Sequence, residues 1–133
     1  MFSIHCQYTE KDYGYIYIET TEGYFPEEHW DDFIDFVVHD WLIEAIKVCQ
    51  GKDGIFKFME GPYEFHANAI MNSTCNISFF STNNQQRLPI SSILPPTFVD
   101  THHFIKEMIT IGRMMKYSNL EKIIASLATY DCD

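Results

Sequence analysis

Residues 24–65, YFPEEHWDDFIDFVVHDWLIEAIKVCQGKDGIFKFMEGPYEF, decide how helix and sheet meet in this chain. Pro26 suits a first helical position, where its missing N–H costs nothing, and Glu27 and Glu28 suit the positive end of a helix dipole. Trp30, Phe33, Ile34, Val37, Val38, Trp41, Ala45 and Val48 then recur at three- and four-residue steps, which predicts one inward apolar stripe. Gly51 and Gly54 bracket the helix end. Glu28, Asp32, Asp35 and His39 share one polar side, whereas Asp40, Glu44 and Lys47 lie about a third of a turn away at 3.6 residues per turn. Leu42, Ile43 and Ile46 add a second apolar surface. A bend or break near Phe36–His39, or a second half buried on two sides, is expected. Beyond the helix, Ile55–Met59 and Tyr63–Ile70 read as strands joined across Glu60-Gly61-Pro62.

Outward from this stretch the pattern is sheet before it and sheet then helix after it. Phe2–Tyr8 alternates as a half-buried strand, and Tyr13–Thr20 returns with Tyr13, Tyr15 and Tyr17 on one face and Ile16 and Ile18 on the other. The tyrosines either line an open face or pack under a helix. Thr74–Ser81 is a further strand after an Asn72-Ser73 turn. Asn83–Gln86 is a loop, Arg87–Ile90 a short edge strand because of Pro89, and Pro95-Pro96 ends the sheet. Thr97–Tyr117 reads as a helix with Phe104, Ile105, Met108, Ile111, Gly112 and Met115 inward and His103, Lys106, Arg113 and Lys116 outward. Gly112 would admit a close neighbour. Ser118-Asn119-Leu120-Glu121 has the form of a capping box before a last helix with Leu120, Ile123, Ile124 and Leu127 inward. The expected fold is α+β: a largely antiparallel five- to six-stranded sheet with a long N-terminal-half helix and a C-terminal helix pair packed on it.

At 133 residues the chain reads as a single domain, 1–133, large enough for a core without staples. No charged n-region precedes an apolar run and no stretch approaches a membrane span, so a cytoplasmic protein without membrane contact is expected. Cys6, Cys49, Cys75 and Cys132 form no CxxC pair, and reduced thiols are expected. Net charge is −10 and lopsided. Residues 1–60 carry thirteen acids against Lys11, Lys47, Lys52 and Lys57, a balance of −9; residues 61–133 carry −1. Such a field repels nucleic acid and draws basic partners.

Chemistry-bearing patterns are sparse. His29 and His39 are ten apart, and His102 and His103 adjacent, so neither pair has the spacing that presents two imidazoles to one ion. No metal or cofactor is expected. No GxGxxG, P-loop, HExxH or nucleophile elbow occurs, and no thiol or carboxylate is set against a base, so the chain does not read as an enzyme. The acids are the informative cluster. On a helix, Asp32 repeats the charge of Glu28 at i+4 and Asp35 follows three residues later, each like-charge pair costing roughly 0.2–0.5 kcal/mol. Glu28, Asp31, Asp32 and Asp35 are therefore the candidate partner-binding residues, with Tyr13, Tyr15 and Tyr17 as anchors.

Phe25-Pro26 before Trp30-x-Asp32-Phe33, then Trp41, then Phe58-Met59-Glu60-Gly61-Pro62-Tyr63, resembles small bacterial immunity proteins of polymorphic or contact-dependent growth-inhibition toxin systems. The likeness spans Tyr24–Phe65 by motif and the remainder by element order; Asp is commoner in that family where this chain has Glu60. The motif residues read as structural and do not transfer as a binding site. The resemblance implies a cytoplasmic inhibitor without catalysis that binds the C-terminal domain of one cognate toxin, often a nuclease. The alternative is a small-ligand-binding or regulatory module, dimeric through the Leu42–Ile43–Ile46 surface. A concave pocket lined by the tyrosines would favour that alternative.

Overall fold

The computed structural model describes residues 1–71, 73–83, 86–89 and 94–131. Turn, loop and strand readings at Asn72, Asn84, Gln85 and Ile90, and the thiol of Cys132, lie outside them. The chain is α+β, with two antiparallel sheets and three helices instead of one sheet of five or six strands. The smaller sheet has β1 (Phe2–Glu10) against β2 (Tyr13–Thr20), with β3 (Gly23–Phe25) and β4 (Asp31–Asp32) both on the far edge of β2. The larger runs β5 (Gly54–Lys57), β6 (Tyr63–Met71), β7 (Thr74–Asn83) and β8 (Gln86–Pro89), and β9 (Thr97–Asp100) shares the outer edge of β7. The helices are α1 (Ile34–Cys49), α2 (Thr101–Met114) and α3 (Glu121–Ala128). Two sheets form because residues 23–32 give the first hairpin strand partners of its own. Its apolar face then meets the larger sheet through Phe2–Phe65 and Phe25–Phe79 ring contacts at 6.3 and 4.8 Å.

The main correction concerns the start of α1. It begins at Ile34, eight residues after Pro26. Phe25-Pro26 is a cis peptide, and His29 takes φ +61°. Asp31 and Asp32 pair with Tyr15 and Gly14, and Ile16 N–H donates to the Trp30 carbonyl at 2.8 Å. The acid-rich stretch that a helix would charge for like-charge neighbours has its backbone spent on sheet instead. Trp30 and Phe33 therefore leave the helical stripe. From Ile34 the helix is unbroken, and Leu42 is buried against α2 and α3 while Ile43 is exposed. The expected Leu42–Ile43–Ile46 surface is thus split by the fold.

Trp41 is fully buried, donates from Nε1 to the Lys57 carbonyl at 2.9 Å and stands edge-on to Phe58 and Phe65. Trp30, expected to match it, is only half-buried and packs against Tyr63 and Phe58. Gly61 sits at φ +74°, and a Cβ there would lie 2.9 Å from the Trp30 ring. Phe25, Trp30, Asp32, Trp41, Phe58, Gly61 and Tyr63 thus form one junction between the sheets, whereas Phe33 and Met59 of the same stretch are exposed.

Helix side chains close one edge of each sheet, along β1 and along β5. Glu107 of α2 accepts Ile4 N–H at 2.8 Å and His103 meets the Phe2 carbonyl at 2.7 Å. On β5, Glu44 of α1 accepts Ile55 N–H at 3.0 Å and Trp41 takes the Lys57 carbonyl. Edge groups closed in this way cannot template another strand.

Pro95-Pro96 does not end the sheet, because Thr97–Asp100 pairs with β7 before α2 begins. Asp100 caps α2 by accepting His103 N–H at 3.2 Å. The predicted inner stripe of α2 is buried throughout, and a Cβ on Gly112 would meet Leu42 and Ile124 at 3.0 and 3.2 Å. The expected capping box is absent in form: Glu121 N–H goes to Asn119 Oδ1 at 3.3 Å, and the N-cap Leu120 offers no side-chain bond.

Candidate protein-interaction surface

The pleat of the small sheet decides which side chains meet. Ile16 and Ile18 are fully buried, so Tyr13, Tyr15, Tyr17 and Glu19 point to the opposite face. Strand register brings neighbours beside them: His5 lies opposite Tyr17, Gln7 opposite Tyr15, Tyr24 opposite Glu19 and Asp31 opposite Tyr15. The His5 ring stacks on Tyr17 at 4.8 Å, and its Nε2 meets Glu19 at 2.8 Å. Tyr15 donates its hydroxyl to Gln7 at 2.7 Å. Tyr24 stands edge-on to Tyr17 at 5.7 Å. His29 lies edge-on to both Tyr15 and Tyr17, at 5.0 and 5.6 Å, from the left-handed backbone conformation that few non-glycine residues adopt. Tyr24 is exposed and Tyr13 and Tyr15 are half-buried, but Tyr17 is buried at 6% exposure beneath the rings of His5, Tyr15, Tyr24 and His29, so it supports this face without being open on it.

Carboxylates surround these rings. Glu28 and Glu19 hold the Tyr24 hydroxyl above its ordinary pKa. Burial raises Tyr17 first, then Glu28 adds to it. Tyr13 is likewise raised by desolvation and then by Glu60 and Asp31. These phenols remain neutral donors in a negative field.

The structure separates the four predicted acids. Glu28 and Asp31 are exposed on the tyrosine face, but Asp32 and Asp35 are 0% and 5% exposed and leave it. Asp32 follows Asp31 on a strand, so it points inward, where it accepts Phe33 N–H at 2.7 Å and Trp30 Nε1–H and Glu60 N–H at 3.2 Å. Asp35 accepts the Tyr8 hydroxyl at 2.5 Å and Tyr117 N–H at 3.1 Å. Both carboxylates serve the fold, and the helical face on which their partner role was read does not exist. His5, Glu19, Tyr24 and His29 are face residues that sequence reasoning missed; strand register places His5, Glu19 and Tyr24, and ring contacts with Tyr15 and Tyr17 place His29.

At the Tyr13 end, the Tyr13 and Phe33 rings meet edge-on at 5.0 Å beside a groove of about 470 Å³. Asp12, Phe33, Asp35, Phe36, His39, Met59 and Ser118 line it. Its walls differ from the tyrosine-lined pocket that would favour the small-ligand alternative.

Burial, with Asp35 adding to it, pushes Cys6 up to about 12, and burial pushes Cys49 and Cys75 up to about 11. Such thiols are not activated. Among the described residues no three metal-ligating side chains gather, and no helix is long and apolar enough to cross a membrane. Comparison of the chain with protein-family models, curated proteins and solved structures finds no match.

Proposed function

We propose that this protein is a cytoplasmic immunity protein that neutralises a toxin by binding its basic C-terminal domain, without catalysis of its own. One observation carries the reading. The tyrosine face of the small sheet presents the exposed Tyr24 ring and the half-buried Tyr13 and Tyr15 rings among carboxylates, and every charged group that shifts Tyr13, Tyr17 or Tyr24 shifts it upward. A Lys or Arg brought there gains a ring face and a carboxylate together, while a phosphate backbone meets repulsion. A nuclease suits such a partner, because its phosphate-binding surface is basic. The resemblance of residues 24–65 to immunity proteins supports the same assignment, and the junction those residues build is scaffold for the face.

The test uses the C-terminal domain of a large secreted protein encoded immediately upstream. Wild type should bind it tightly, and Glu28→Gln/Asp31→Asn should associate more slowly with a flatter salt dependence. Tyr24→Ser should dissociate faster, as loss of an aromatic anchor does. If wild type does not bind that domain, the immunity reading is withdrawn.

A further inference from the structure

Single exposed apolar side chains need no explanation, but several converging on one groove do. Phe33, Phe36 and Met59 line the groove at 43%, 59% and 51% exposure. They come from three places: the residue before α1, its first turn, and the β5–β6 connection. Two buried carboxylates hold those places together. Asp32 ties Glu60 N–H to Phe33 N–H, fixing the connection that carries Met59 against the start of α1. Asp35 binds Tyr8 and Tyr117, fixing the wall that carries Ser118. The cavity is therefore assembled before any partner arrives, and a preformed seat lowers the ordering cost of binding.

The surroundings say what chemistry fits. Asp12 lines the groove and Glu60 adjoins Met59. Glu60 and Asp31 both act on the Tyr13 hydroxyl, and Tyr13 touches Phe33, so the groove continues the tyrosine face. We infer that the Phe33–Phe36–Met59 groove seats an apolar side chain that lies beside Lys or Arg in a basic segment of a protein partner. This rests on the chain's being a partner-binding protein; it is independent of whether that partner is a toxin. The apolar residue fills the groove, and the flanking cations meet Asp12, Asp31 and Glu60.

The probe is a short synthetic peptide with a Leu-Phe pair flanked by Lys and Arg. Two controls carry Ser-Ser in place of Leu-Phe, or Glu in place of the basic residues. The basic apolar peptide should shift the NMR signals of the Met59 methyl and the Phe36 ring, and both controls should bind at least tenfold more weakly. Phe36→Ser and Met59→Ser, whose side chains are exposed, should keep the wild-type melting profile and lose at least tenfold in peptide affinity. Equal binding by these variants, equal binding of the Ser-Ser peptide, or no shift at millimolar peptide each overturns the proposal. Wild-type binding to the upstream domain together with a silent peptide would sink the groove and leave the immunity reading standing. Peptide binding without binding to that domain would do the reverse.

Discussion

Asp31 and Asp32 are neighbours in sequence with opposite fates. In β4 one side chain follows the pleat outward beside Tyr15, and the next turns inward beneath Gly14. A helical reading puts Asp32 on a charged surface; a strand reading puts it in the core, and two residues of strand are too few to announce themselves by alternation. Three donors then depend on its carboxylate. Asp32→Ala should cost about 3 kcal/mol, since bonds to a charged acceptor each carry roughly 1.5–3 kcal/mol and the buried donors stay unpaired. Asp31→Ala should change stability by no more than about 0.5 kcal/mol, as exposed substitutions do. Urea unfolding of the two variants checks this, and a loss below about 1 kcal/mol for Asp32→Ala would show that the carboxylate does not hold the junction.

Among elements, those with a long regular period were legible and those set by one residue were not. The β2 alternation and the α2 stripe follow from periodicity. The β1–β2 register does not, because a bulge between Tyr8 and Glu10 shifts the pairing. A plain two-residue turn at Lys11-Asp12 would set His5 opposite Ile18; the bulge sets it opposite Tyr17. β9 is hidden in the sequence because Thr-Phe-Val-Asp abuts a strong helical stripe and only pairing with β7 makes it a strand. Two glycines test how the elements meet. A Cβ on Gly14 would lie 2.0 Å from the Gln7 carbonyl oxygen, so β1 would have to move. Gly14→Ala should therefore cost about 3 kcal/mol or more, at the upper end of overpacking. On Gly112 the atoms met belong to the Leu42 and Ile124 side chains and not to backbone, and at 3.0–3.2 Å a shift of a few tenths of an ångström relieves them. The helix gain of about 1 kcal/mol for alanine over glycine offsets that crowding, so Gly112→Ala should be near neutral. Equal losses at the two sites in thermal unfolding would refute this contrast.

Across the whole molecule one core joins the elements, and its thiols report on its integrity. Cys6 lies on β1, Cys49 ends α1 and Cys75 is on β7, with each thiol raised chiefly by burial. Unfolding would return each to the ordinary value of 9.0. Above that pH the unfolded chain releases protons that the folded chain retains, so rising pH favours unfolding. The stability linked to these protons is complete below pH 9 and declines as pH climbs toward the folded values near 11 and 12. Each thiol contributes at most about 1.4 kcal/mol per pH unit to that decline. Tyr8 has the same sign from a higher starting point, since burial and Asp35 raise its hydroxyl as well. Urea midpoints should thus hold steady from pH 7 to 8.5 and fall between 9 and 10.5. Cys6→Ala will lower stability at every pH through its lost side chain, but its curve should fall less steeply over that window. The slope isolates the thiol from the packing, and an unchanged slope would mean that Cys6 ionises as freely in the fold as in the unfolded chain.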